Sequence, residues 1–177
     1  MKKYWIFLII IIFTSCYQNS FEKFKLSEKQ KIVNKLRKRV SCDLQRKYGL
    51  LPFGTGGQMM DQVEKLMLIF NYPKPLTEDE ARVLVINATE EFLGAINEEE
   101  ALRQYLANFP FGPKNVEITI FLQDSRGTSV QPDKFILVEA SDGFVTCEAK
   151  NLESREYRNV FKETFEEAKQ KTIGQLQ

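Results

Sequence analysis

The chain is 177 residues long, the size of about one domain, and its 43% hydrophobic and 28% charged residues exclude both wholesale disorder and a multi-span membrane protein. Its 25 basic and 24 acidic residues leave a net charge of +1, so no global field draws it to nucleic acid. It contains no histidine, which removes Ser-His-Asp and Cys-His nucleophile systems and mixed Cys/His zinc sites; carboxylate-pair chemistry remains open.

Lys2 and Lys3 precede ten consecutive apolar residues, Tyr4 to Phe13. That run has the length of the apolar region of a secretory signal and falls short of the roughly 20 residues that cross a bilayer. Phe13-Thr14-Ser15-Cys16 then resembles the lipobox of bacterial lipoproteins, in which a small residue precedes the obligatory cysteine; Phe13 stands where an aliphatic residue is usual. The resemblance covers residues 1–16. It implies cleavage before Cys16, a diacylglyceryl thioether on its sulfur and acylation of the new amino group. Each buried methylene contributes about 0.8 kcal/mol, so two or more chains hold the protein on a membrane. Tyr17 in place of an aspartate after the cysteine implies, by the same resemblance, the outer membrane facing the periplasm. The expected organisation is a signal peptide over 1–15, a lipidated tether over 16–26 and a single α+β domain over 27–177. Maturation leaves 23 basic against 24 acidic residues, a net charge of −1.

Ser27-Glu28-Lys29-Gln30 has the form of a capping box, and Val33, Leu36, Val40 and Leu44 recur at helical spacing up to a stop at Gly49. Between Glu22 and Lys47 lie ten basic and three acidic residues, a net +7. Lys29, Lys31, Lys35, Arg37, Lys38 and Arg39 are therefore candidate contacts to anionic headgroups or another acidic envelope polymer; the alternative is a solvated helix face. With Cys16 taken by lipid, Cys42 and Cys147 remain, either as a disulfide permitted by export or as two separate thiols.

Leu51-Pro-Phe-Gly-Thr-Gly-Gly57 reads as a loop, without the Lys-Ser/Thr that a phosphate-binding loop needs. Met60, Val63, Met67 and Phe70 mark a second helix. Thr77-Glu78-Asp79-Glu80 is another capping box, opening a helix whose stripe runs from Ala81 to Ile96. Asn97 to Glu100 repeats the pattern before Leu102, Tyr105 and Leu106. Phe109 and Phe111, set among prolines, read as either a plug at the junction of helices and sheet or a recognition edge. The helical half thus spans 27–108.

Over 115–172 the period changes. Val116, Ile118, Ile120 and Leu122 alternate with more polar residues, and Asp142-Gly143 between Phe135–Ala140 and Phe144–Ala149 predicts a two-residue hairpin. Pairing Ser141 with Phe144 sets Val138 opposite Cys147 and points that thiol inward. Tyr157, Val160, Phe161, Phe165 and Ala168 read as a C-terminal helix, with Tyr157 to Phe161 as an alternative fourth strand. The expected fold class is α+β: N-terminal helices, a three-stranded antiparallel meander, then a closing helix.

Caps explain most acidic clusters. Asp124, Asp133 and Glu139 around the polar loop are the remaining candidates for a carboxylate-dependent enzyme acting on an envelope polymer. The leading expectation is a non-enzymatic binding or scaffold module without a cofactor, anchored at Cys16 and serving a protein partner not specified by the sequence. A carrier of a small ligand or lipid is the other alternative.

Overall fold

The computed structural model describes residues 26–132, 136–150 and 156–174. Cys16 with its lipobox, and Asp133, lie outside the described residues.

The first helix, α1 (Glu28–Tyr48), begins as its capping box dictates: Ser27 Oγ accepts from the Gln30 N–H at 3.2 Å, and Gln30 Oε1 accepts from the Ser27 N–H at 2.9 Å. It ends at Gly49, whose φ of +74° is the left-handed cap that only glycine adopts without strain. Helix α2 (Glu78–Glu98) opens on the reciprocal Thr77–Glu80 box. The third expected helix start does not form at Asn97, because α2 runs through it. Asn97 instead binds the backbone of Phe111 with both ends of its amide, at 2.8 and 3.0 Å. A single turn, α3 (Glu100–Arg103), follows without a side-chain cap.

The sheet is larger than the sequence pattern indicates. Six strands lie in chain order across it: β1 (Leu51–Gln58), β2 (Lys65–Asn71), β3 (Val116–Phe121), β4 (Leu137–Ser141), β5 (Phe144–Lys150) and β6 (Tyr157–Thr164). β2 and β3 pair in parallel, and every other neighbour pair is antiparallel. The expected meander is therefore one part, β3 to β5, of a six-stranded mixed sheet. Its hairpin forms as expected, with Asp142 and Gly143 both at positive φ and Val138 opposite Cys147.

The expected second helix is replaced by β2. Leu66, Leu68 and Phe70 are fully buried while Met67 and Ile69 alternate with them, a period of two; Met60, one of the four residues that suggested a helix, is 91% exposed. The stretch read as a loop is the edge strand β1, which owes its form to pairing with β2 rather than to glycine's own preference. Gly57 is required there: at φ +142° a Cβ would meet the Lys65 carbonyl oxygen at 2.3 Å. At the other edge Tyr157–Thr164 forms β6, the alternative reading, and the closing helix α4 (Phe165–Gly174) starts only at Phe165.

Helices α1, α2 and α4 bury their apolar stripes in one cluster with the inner sheet positions, from Leu66 on β2 to Val145 and Ala149 on β5. The opposite sheet face carries no helix among the described residues. No described helix is long and apolar enough to cross a membrane.

Candidate binding face

Because side chains alternate along a strand, the residues between the buried ones line up on the uncovered face. One row across it runs Ile69, Thr119, Glu139, Thr146 and Lys162; the next includes Met67, Glu117, Ser141 and Phe144; a third includes Phe121, Leu137 and Glu148. Phe53 closes the corner, packing edge-on to Phe121 with ring centroids 6.4 Å apart, and Lys162 sits over the Phe144 ring at 5.1 Å. Most of these side chains are half-buried by one another, so the face is a mosaic of apolar, hydroxyl and carboxylate groups.

Glu139 lies at its centre. It accepts a hydrogen bond from Thr119 Oγ1 at 2.9 Å, and Glu117 next to it accepts from Ser141 Oγ at 3.1 Å. Burial raises the Glu139 carboxyl above the usual carboxylate range, the Thr119 bond pulls it back, and the neighbouring Glu117 and Glu148 charges push it further up. Hydroxyls, carboxylates and aromatic edges on one surface offer hydrogen bonds and apolar contact to a partner.

Of the two acids expected beside Glu139, Asp133 lies outside the described residues and Asp124 does not join it. Asp124 accepts from the N–H groups of Arg126 and Thr128, at 2.8 and 2.9 Å, closing its own turn, and no hydrogen bond joins it to Glu139. Among the described residues no group of three or more acidic or thiol ligands could hold a metal ion.

The six candidate basic residues of α1 divide into three kinds. Lys29 and Arg37 are bound to backbone carbonyls of the domain itself: Lys29 Nζ donates to Met59, Met60 and Asp61 at 3.2, 2.5 and 3.0 Å, and the buried Arg37 donates to the Gly56 carbonyl. Lys31 and Arg39 pair with Glu28 and Glu99 at 3.2 and 3.4 Å. Lys35 and Lys38 alone of the six are exposed with no ion pair among the described residues.

The two cysteines among the described residues are free, Cys42 exposed and Cys147 fully buried. Ser41 is buried on the inner side of α1; one step further, about 100° around the helix, Cys42 faces out while Cys147 lies on the inner face of β5. Of the two alternatives, the two thiols are separate here and no disulfide joins them. Burial pushes the Cys147 thiol up to about 12, which leaves it inert.

The two proline-flanked aromatics also part. Phe111 is a buried plug, while Phe109 is 53% exposed with the Arg103 guanidinium 4.9 Å from its ring centre. A cavity of about 450 Å³ opens between the end of α1 and the start of α2, with Tyr48, Tyr72, Leu76 and Leu84 in its wall beside Lys47 and Asp79. Sequence periodicity missed the outer sheet face because it depends on β2, which read as a helix, and missed the cavity because its walls come from α1, α2 and the Tyr72–Leu76 stretch brought together by the fold. No family model matches the chain, and neither does any curated protein or any solved structure.

Proposed function

We propose that the protein is a lipid-anchored lipoprotein of a bacterial envelope whose domain is a non-enzymatic binding or scaffold module. The observation that carries the anchor is sequential: a basic start, ten apolar residues and Thr14-Ser15-Cys16, with the described domain beginning only ten positions later, at Leu26. The outer sheet face supports the binding reading. It is the broad surface that the helices leave open, and it offers Phe53, Phe121 and Phe144 around the Glu117–Glu139 pair for a partner to cover. An outer-membrane address facing the periplasm rests on Tyr17 alone and belongs to the same proposal.

A fatty acid analogue fed to expressing cells should label the wild-type chain and leave Cys16→Ser unlabelled. Label retained on the serine variant sinks the lipoprotein reading. The small-ligand carrier is the second reading, favoured by the aromatic-walled cavity between α1 and α2. Tyr72→Ala should then lower the retention of a hydrophobic probe by the delipidated domain, and unchanged retention counts against it.

A further inference from the structure

Four large apolar side chains stay exposed at one end of the fold: Leu26, Met60, Phe109 and Phe144, exposed by 43, 91, 53 and 42%. Bonds between loops gather them there. Lys29, in the first turn of α1, holds the β1–β2 loop beside it through the carbonyls of Met59, Met60 and Asp61. The Val63 N–H donates to the Tyr105 carbonyl, the Ala107 N–H to the Val63 carbonyl and Asn115 Nδ2 to the Glu64 carbonyl, and these bonds fasten the segment carrying Phe109 to the same loop. Lys65, at the start of β2, pairs with Asp142 of the hairpin turn next to Phe144.

Leu26 is exposed for a local reason. A hydrophobic residue before a helix cap usually packs on the fourth helical residue, and here that residue is Lys31. The charges on this rim nearly cancel, with Lys31, Arg103 and Lys114 set against Glu28, Asp61 and Glu64. Its distinguishing property is therefore apolar protrusion rather than field.

We propose that this rim rests on the bilayer that anchors Cys16, with Met60 and Phe109 entering the boundary between headgroups and acyl chains. The inference builds on the proposed lipid anchor and goes beyond it, by stating which surface faces the membrane. The described chain begins on this rim, at Leu26, and nine residues separate Leu26 from Cys16. At roughly 3.3–3.6 Å per residue that spacer holds the rim within about 35 Å of the lipid. Tethering at such range gives an effective concentration of order millimolar, so a weak apolar contact is enough. The start of α1 lies at this contact and its basic flank does not carry it, because Lys29 is bound to the β1–β2 loop and Arg37 to the Gly56 carbonyl.

The test uses the mature, lipidated protein. The sequence has one tryptophan, Trp5, inside the segment that maturation removes, so an introduced tryptophan reports alone. Met60→Trp, Phe109→Trp and, at the opposite end of β1, Phe53→Trp are compared in phosphatidylcholine vesicles with brominated acyl chains. Residues seated about 5–10 Å into the interface should show blue-shifted, quenched emission at positions 60 and 109 but not 53. Adding anionic lipid should change neither signal. Emission at 60 and 109 that stays unshifted and unquenched overturns the proposal, and so does a shift that follows protein concentration instead of lipid, which would assign the rim to a second copy. Fatty acid label is read on the same samples. A labelled but unquenched protein defeats the docking inference alone, whereas an unlabelled one defeats the anchor and the docking together.

Discussion

Arg37 and Arg82 are equally buried, each 6% exposed, yet they sit in opposite kinds of surroundings. Arg82, on α2, donates to Asp79 and Glu163 and lies 4.5 Å from the centre of the Phe161 ring. Burial works against its charge, but Glu163 and Asp79 outweigh that and hold the guanidinium above its usual value. Glu163 of β6 also binds Lys171 of α4, so one carboxylate ties three elements together. Arg37 has the Gly56 carbonyl and, among the described residues, no carboxylate; its Nε is buried without a partner there, and burial lowers its pKa. The same side chain is thus a lock where acids converge and a lone donor where it crosses a glycine strand. Glycines make the crossing feasible, since a Cβ at position 57 would stand 2.9 Å from Arg37 Nη2.

Breaking the satisfied corner should be the most damaging change. Glu163→Ala leaves Arg82 buried with only the exposed Asp79, and loss of one partner of a buried pair typically costs about 3–5 kcal/mol, read by urea denaturation. The effect carries a pH signature. Burial pushes the Glu163 carboxyl up, but the bonds from Arg82 and Lys171 overcome this and leave it below its ordinary range. Its contribution is therefore complete above the unfolded value of about 4.3 and is lost as pH falls through the lower folded value. The wild type should lose more stability than Glu163→Ala across that acid window. Parallel acid profiles for the two would refute the assignment.

On the Arg37 side, Gly57→Ala should cost about 1–3 kcal/mol, through left-handed strain and collision with the Lys65 carbonyl. Arg37→Met should change stability by less than about 1 kcal/mol or raise it, because it removes an unpaired charge along with a single carbonyl bond. A loss as large as that of Glu163→Ala would erase the contrast between the two corners.

The uncovered sheet face sharpens the comparison with a smaller effect. The Glu139 carboxyl is raised in the folded state, so the folded chain holds its proton more tightly and loses stability as pH rises from about 4.3 through the folded value. Glu139→Gln keeps an acceptor for Thr119 and removes the charge. It should therefore be more stable than wild type at neutral pH, with the gain vanishing below about pH 4. A thermal melt at both pH values checks this, and a neutral-pH loss would contradict it.

The cysteines give the mildest test. Under native conditions a thiol reagent should modify Cys42 and leave Cys147 untouched until the chain unfolds. Native modification of Cys147 would contradict its place on the inner face of β5.

Elements whose signals are local were legible in the sequence. The Ser27–Gln30 and Thr77–Glu80 boxes, the glycine stop at Gly49 and the Asp142-Gly143 turn each lie within a few residues, and each forms as read. Elements defined by a distant partner were not. β1 holds three glycines and a proline and becomes a strand only because β2 lies beside it. The apolar run of β2 fits a helix or a buried strand until its parallel pairing with β3, in which Leu68 lies beside Ile118, 50 positions away, decides. The same holds for the candidate site: Glu139 was legible as an unassigned acid, but its neighbours Glu117 and Thr119 follow from register. The basic count of α1 was legible, whereas the inward course of Lys29 and Arg37 depends on carbonyls of the β1 strand and its loop.

The lipid anchor is tested most directly by the intact mass of the chain purified from membranes. Loss of residues 1–15 with an added diacylglyceryl group, and an N-acyl chain where the host adds one, is the expected result. A mass beginning at Met1 with an unmodified Cys16 would contradict it.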